Sequence, residues 1–235
     1  MAENRWMNPD AWRACSTPVD ADGLRGRICF GGLDLSSTQD ITAFVLVFPP
    51  SSGGEPYQVI GRFWIPDDNM RRRSRDDNVP YEAWVRQGWL KTTPGNVVDL
   101  DFIKAEIAEL AAEFDIREVA FDRWGSAKIV QDLQKDGLTV IEMGQGYASI
   151  SAPMKRLETL VLSKRIAHGG NIPLAWMIDN TVATEDPAGN IKADKQRSSE
   201  RIDGVVAMIM ALARADLYDE STSASMYDNA EIATV

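Results

Sequence analysis

Two apolar runs that each stop on an aspartate constrain this chain more than any other feature. One is Phe30-Gly31-Gly32-Leu33-Asp34 and the other is Val119-Ala120-Phe121-Asp122. A third acid, Asp203, stands between Ile202 and Val205 in a strongly apolar segment, next to Gly204. An unpaired carboxylate in apolar surroundings is costly, so each of the three needs a partner. If the strands that carry Asp34 and Asp122 are neighbours, both acids emerge at the same sheet edge. A helix carrying Asp203 can cross that edge, with Gly204 permitting close approach. Taken singly, each acid fits an N-cap or an ion pair, and Arg123 and Arg201 are near in sequence. Three converging carboxylates repel one another, and divalent cations remove that repulsion. All-oxygen ligation suits Mg²⁺ or Mn²⁺, and two such ions about 4 Å apart can drive phosphodiester hydrolysis. Asp40, six residues after Asp34, is a candidate auxiliary ligand or an ordinary turn acid.

The hydrophobic pattern surrounds these acids with a mixed α/β domain. Residues 27–35, 41–48 and 57–64 read as an antiparallel meander. The second strand is almost continuously apolar, as expected for a strand covered on both faces. Helices are expected over 67–75 and 81–87, and an amphipathic helix over 99–114 with Asp99 as N-cap. A strand at 116–122, a helix at 127–135 and a strand at 138–142 then give parallel strands joined by right-handed crossovers. A helix over 152–164 carries Pro153 in its first turn. Residues 172–182 read as helical and 186–195 as a hairpin or loop, and a strong helix runs over 198–215. The division that follows is an arm or interdomain linker at 1–26, a folded α/β domain at 27–216, and an acidic, disordered tail at 217–235.

Composition excludes several classes. No apolar run approaches the roughly 20 residues needed to span a bilayer, and the polar start lacks the apolar stretch of a signal peptide. Two cysteines, Cys15 and Cys29, make neither a disulfide framework nor a zinc site by themselves, which fits a reducing cytoplasm. The single histidine, His168, excludes a multi-histidine metal centre; a structural hydrogen bond is its simpler role. The formal charge of −10 opposes a nucleic-acid partner at first sight. Its distribution weakens that objection. Residues 216–235 hold five acids and no Lys or Arg, while residues 123–201 hold eleven Lys or Arg against nine acids. Arg71, Arg72, Arg73 and Arg75 form a dense basic cluster that either steers DNA, meets a partner or is a solvated helix face. Lys192, Lys195 and Arg197, just before the Asp203 helix, suit phosphate contacts at the rim of the site, as does Arg123 beside Asp122. A solvated loop is the alternative for each.

An ordered series of motifs carries a resemblance. It runs through Gly32-Leu33-Asp34-Leu35-Ser36-Ser37-Thr38, Phe63-Trp64-Ile65-Pro66, Thr93-Pro94-Gly95-Asn96-Val97-Val98-Asp99 and Ala120-Phe121-Asp122-Arg123-Trp124. It continues through His168-Gly169-Gly170-Asn171, Asp186-Pro187-Ala188-Gly189-Asn190 and Glu200-Arg201-Ile202-Asp203-Gly204. Over roughly residues 27–215 the chain resembles the C-terminal nuclease domain of the large terminase subunit of tailed double-stranded-DNA phages. The resemblance implies a ribonuclease-H-like fold, with a central mixed sheet and helices on both faces. It further implies a metal-dependent endonuclease that cuts concatemeric double-stranded DNA with two divalent ions, Mg²⁺ or Mn²⁺. Asp34 would bridge the ions, Asp122 and Asp203 would complete the cluster, and Asp40 would match an accessory acid. The implied partners are an ATPase motor domain, a small terminase subunit and a portal, in the cytoplasm of the host cell. No Gly-x-x-x-x-Gly-Lys-Ser/Thr loop occurs, so the chain reads as the nuclease domain without its motor. Two other readings compete with cleavage. One is a module that docks DNA or the portal without cutting. The other is an actin-like or sugar-kinase phosphotransferase, since residues 32–38 also look like a phosphate loop; that class needs a second glycine-rich hairpin, which is missing here.

Overall fold

The structure is a computed structural model that describes residues 5–35, 41–122, 127–195, 197–198 and 201–232; side chains are described at these positions except 69, 127 and 219–232. A short helix α1 (Pro9–Arg13) opens the described chain. Three strands follow: β1 (Ile28–Asp34), β2 (Thr42–Phe48) and β3 (Tyr57–Pro66). The helices α2 (Asp67–Asp76) and α3 (Tyr81–Arg86) lead to β4 (Lys91–Thr93). Next come α4 (Leu100–Glu113), β5 (Asp115–Phe121), α5 (Ala127–Lys135), β6 (Val140–Glu142) and α6 (Tyr147–Leu162). The last part comprises β7 (Ile166–Ala167), α7 (Ile172–Asn180), the hairpin β8 (Ala183–Glu185) and β9 (Ile191–Ala193), and α8 (Asp203–Ile232).

The central sheet has the order β4-β3-β2-β1-β5-β6, with β7 also on β3. β1, β2 and β3 are antiparallel neighbours, while β5 runs parallel to β1 and β6 parallel to β5. Every residue of β2 is buried, because helices cover both faces. On one face α6, α7 and α8 pack on Phe30, Ala43, Val45, Val59 and Phe63. On the other, Ile103, Ile107 and Leu110 of α4 and Ile129 and Leu133 of α5 pack on Leu33, Phe44, Leu46 and Val119. Asp99 caps α4 by accepting from the amides of Asp101 and Phe102 at 3.0 and 3.2 Å, which stabilises a helix start by about 1 kcal/mol.

Side chains alternate along a strand, and this fixes where the acids point. On β1, Cys29 and Leu33 face α4, so Phe30, Gly32 and Asp34 face α8. A Cβ on Gly32 would overlap the Ala207 carbonyl of α8, so only glycine lets that helix lie against β1. Gly204 plays the matching role expected of it. A Cβ there would stand 2.6 Å from the Phe63 ring and 2.7 Å from Met177 Sδ.

The part of the 1–26 arm that is described packs on the body: Met7, Trp12, Cys15 and Leu24 are buried, and the Trp6 amide donates to the Thr181 carbonyl at 3.0 Å. Other elements differ from the sequence expectations. α6 starts at Tyr147 rather than at 152, which puts Pro153 inside the helix. Ile150 is buried in that added turn, and Ser151 Oγ accepts from the Ile191 amide of β9 at 3.0 Å, so tertiary contacts outweigh the lost helical hydrogen bond. α8 continues to Ile232, across residues that composition assigns to a disordered tail.

Candidate metal centre

Leu33 of β1 lies opposite Phe121 of β5 in the parallel register. Asp34 and Asp122 are the next residues along, so the two acids stand side by side at the carboxyl ends of adjacent strands. Asp122 continues the parity of Ala120, which faces the α8 side. Asp203 is the first residue of α8, and that helix crosses this edge. Strand register, side-chain parity and the two glycine contacts thus bring three distant acids to one place.

The geometry is centred on a cation. Lys195 Nζ donates to Asp34 Oδ2 at 2.7 Å and to Asp203 Oδ1 at 3.1 Å. Asp34 is 3% exposed and Asp203 is 8% exposed. Burial pushes the Asp34 carboxyl up to about 7, against the pull of Lys195, and the charges of Asp203 and Asp122 push it the same way. Burial opposes the Lys195 charge, but the Asp34 and Asp203 carboxylates outweigh it and raise that ammonium above its ordinary value. A single ammonium therefore balances two buried acids, with a third close enough to act through its field.

These residues fit a divalent cation. The donors are carboxylate oxygens, which hard ions such as Mg²⁺ and Mn²⁺ prefer. The ammonium marks a point where the Asp34 and Asp203 carboxylates converge on positive charge, and burial raises the Asp34 carboxyl against the pull of that one ammonium. Among the described residues, no three Asp, Glu, His or Cys groups stand close enough together to hold a metal as they lie. Lys195 holds two of the acids, and residues 123–126, which follow Asp122, are outside the described residues.

The other expected site residues distribute as follows. Lys195, expected at DNA phosphates, bridges Asp34 and Asp203. It follows β9 by two residues, and the hairpin is anchored where the Asp194 amide donates to the Val182 carbonyl at 2.9 Å and Lys155 Nζ to the Gly189 carbonyl at 2.6 Å. Lys192 lies over the Tyr147 ring at 4.9 Å. Arg197 pairs with Asp194 at 3.7 Å and is largely exposed. Asp40 and Arg123 lie outside the described residues. His168 is not near the acids. It stacks on Trp12 at 4.0 Å, and its Nε2 lies 2.9 Å from the Trp12 carbonyl. The bridging role of Lys195 had one sequence signal, a cation eight residues before Asp203 in an otherwise polar loop.

A mixed sheet in this strand order, covered on both faces, is a ribonuclease-H-like fold, and here carboxylates stand at the ends of its central parallel pair. The sequence model of the terminase large subunit endonuclease domain matches residues 1–219, and the chain belongs to that family. It is 36% identical over 214 residues to the terminase large subunit of Enterobacteria phage HK97, covering 90% of this chain and 41% of that protein. It is 29% identical over 233 residues to protein YmfN of Escherichia coli strain K12, covering 95% of this chain and 51% of that one. The chain thus spans roughly half or less of the length of these relatives. The crystal structure of the HK97 large terminase superposes with a TM-score of 0.80, over 88% of this chain and 43% of that one. The large terminase nuclease of thermophilic phage G20c with bound magnesium superposes with a TM-score of 0.58, over 91% of this chain and 98% of that one. At 14% identity that second likeness is one of fold.

Proposed function

We propose that the chain is the endodeoxyribonuclease of a phage DNA-packaging terminase, cutting concatemeric double-stranded DNA by two-metal hydrolysis. The observation that carries this reading is the cation-bridged pair of buried acids, Asp34 and Asp203, with Asp122 beside it at the edge of a nuclease-family sheet. Asp34, Asp203 and Asp122 would hold the ions, with Asp40 as auxiliary ligand. Bound there, divalent cations supply Lewis acidity to the phosphodiester and lower the pKa of an attacking water. The G20c nuclease, which shares the fold, has been crystallised with magnesium.

The remaining work falls to the chain. Burial of Asp34 excludes bulk water from one side of the site, which strengthens every charge interaction there. The rigid β1–β5 pair fixes Asp34 and Asp122 relative to each other, and Gly32 and Gly204 seat α8 so that Asp203 meets them. Lys195 holds the acids together in the metal-free state. With divalent cations held by the acids, Lys195 would no longer be needed as their counter-charge and, with Lys192, Arg197 and Arg123, would serve as a phosphate contact. Such contacts position DNA without reading its sequence, so weak base preference follows. In the assembled motor we assign an ATPase domain, a small terminase subunit and a portal as partners, acting in the host cytoplasm. Residues 1–26 then serve as the arm toward the motor domain, and 217–235 as an acidic extension.

Plasmid nicking in Mn²⁺ tests the reading. Wild type nicks, and Asp34→Asn, Asp122→Asn and Asp203→Asn each lose activity by roughly a hundredfold or more, on the scale of a lost electrostatic contact in an active site. Full activity in any one variant removes that residue from the site.

A further inference from the structure

The arginine cluster of α2 is not part of the acidic centre, yet the topology points it at the same edge. β2 is antiparallel to both β1 and β3, so β3 runs parallel to β1 and ends where β1 ends. Asp34 lies opposite Ala43, and Ala43 opposite Phe63. Two strand spacings therefore separate Asp34 from Phe63, about 10 Å across the sheet. Pro66, from which α2 departs, is about 10 Å further along the strand. The groove between α2 and α3 accordingly begins within one turn of B-DNA, roughly 34 Å, from the carboxylates.

The arginines of α2 and α3 do not share one role. Arg73 is buried, and its guanidinium donates to Asp77 at 3.3 Å while the Tyr81 hydroxyl donates to the same carboxylate at 2.9 Å. Arg73 thus closes the end of α2 on its own C-cap, and Asp77 ties that end to Tyr81 of α3. Arg71 pairs with Glu82 across the groove at 3.1 Å. Arg75 and Arg86 are exposed, line the same groove of about 480 Å³, and have no ion pair among the described residues. Ser74 Oγ is buried there without a hydrogen-bond partner. The lining thus offers three guanidiniums and a hydroxyl against one carboxylate, and that carboxylate is already taken. On a chain of net charge −10 such a surplus is a local exception.

We propose that the α2–α3 groove holds phosphates of the same duplex that crosses the Asp34–Asp203 edge, with Arg75 and Arg86 as its contacts. The proposal rests on the nuclease reading above and adds a second anchor, displaced along the DNA, that sets the duplex in register over the carboxylates. Phosphate contacts of this kind confer affinity and orientation without sequence choice.

The test is binding of a fluorescent 30-base-pair duplex to the full chain in EDTA, read by anisotropy across a salt series. The Arg75→Ala/Arg86→Ala double variant binds about tenfold more weakly at low salt, and the slope of log K against log salt falls by about 2. Arg75→Lys/Arg86→Lys restores most of the affinity. The Arg25→Ala/Arg117→Ala double variant removes the same charge near the amino-terminal ends of β1 and β5 and binds as wild type. Equal weakening in that control, an unchanged slope in the Arg75/Arg86 variant, or no measurable duplex binding by wild type overturns the proposal. Displacement of the duplex by an acidic polypeptide at equal charge concentration overturns the choice of nucleic acid. Nicking in Mn²⁺ is scored separately. Asp34-dependent nicking without Arg75/Arg86-dependent binding defeats the groove alone, and the reverse pattern defeats the nuclease reading alone.

Discussion

The two ends of β1 stand beside carboxylates in opposite electrostatic circumstances: Glu55 of the β2–β3 connection, held by Arg27, and Asp34 of β1 itself. At the amino end, Glu55 receives Arg27 Nη1 at 2.6 Å, the Ser51 amide and hydroxyl at 2.7 Å each, and Gln58 Nε2 at 2.9 Å. Burial alone would raise its carboxyl, but the Arg27 and Ser51 hydrogen bonds win and draw it down to about 2. At the carboxyl end, Asp34 shares one ammonium with Asp203 and feels Asp122 as well, and burial pushes it up to about 7. The carboxylate beside the amino end of β1 is saturated with donors, and the one at its carboxyl end shares a single ammonium in a buried site. A saturated carboxylate holds loops together. An under-compensated one has free energy to gain from further positive charge, as the metal site proposed at that end of the sheet requires.

That contrast breaks most visibly in activity. Asp34→Asn loses Mn²⁺-dependent nicking by roughly a hundredfold or more, whereas Glu55→Gln nicks as wild type. Stability is expected to respond the other way. Glu55→Gln forfeits charge-assisted hydrogen bonds worth about 2 kcal/mol and lowers Tm by several degrees. Asp34→Asn in EDTA keeps or raises Tm, because it removes a charge that burial opposes; differential scanning calorimetry on both variants reads the two signs.

The pH profile of metal-free Tm sharpens the comparison at an intermediate scale. The Glu55 carboxyl is lowered in the fold, so its contribution is complete above its ordinary value of 4.5 and is lost as pH falls toward 2. The Asp34 carboxyl is raised, so between its ordinary 3.8 and about 7 the native state holds the extra proton, and stability declines as pH rises through that window. Asp34→Asn should flatten the decline between pH 4 and 7 and leave the acid limb alone. Glu55→Gln should do the reverse. The smallest effect is expected for Lys195→Met. Its side chain is 41% exposed, so solvent screening limits the loss of the bridge to about 1 kcal/mol, a drop of a few degrees in EDTA. Saturating Mn²⁺ should then raise the Tm of this variant by more than that of wild type.

Much of this was legible in the chain. Asp34 and Asp122 announce themselves because each closes an apolar run, and strand parity then turns both toward one face. Gly204 signals close packing beside an acid in the same way. Lys195 was less legible, because the loop after β9 has no periodicity and its placement depends on a hairpin anchored to α6. Gly32 gave no local sign either, since the atom it must avoid, the Ala207 carbonyl, is 175 positions later in the chain. The early start of α6 escaped because Pro153 reads as a first-turn residue until Ser151 is known to hold Ile191. Arg75 and Arg86 could be separated from Arg71 and Arg73 only once their ion pairs were in view.

Calorimetric titration of Mn²⁺ into the full chain at pH 8, wild type against Asp34→Asn, addresses the under-compensated edge most directly. The account predicts saturable binding to wild type and at least a tenfold weaker affinity in the variant, on the scale of about 1.4 kcal/mol or more. Equal binding by the two proteins, or none by wild type, would contradict it.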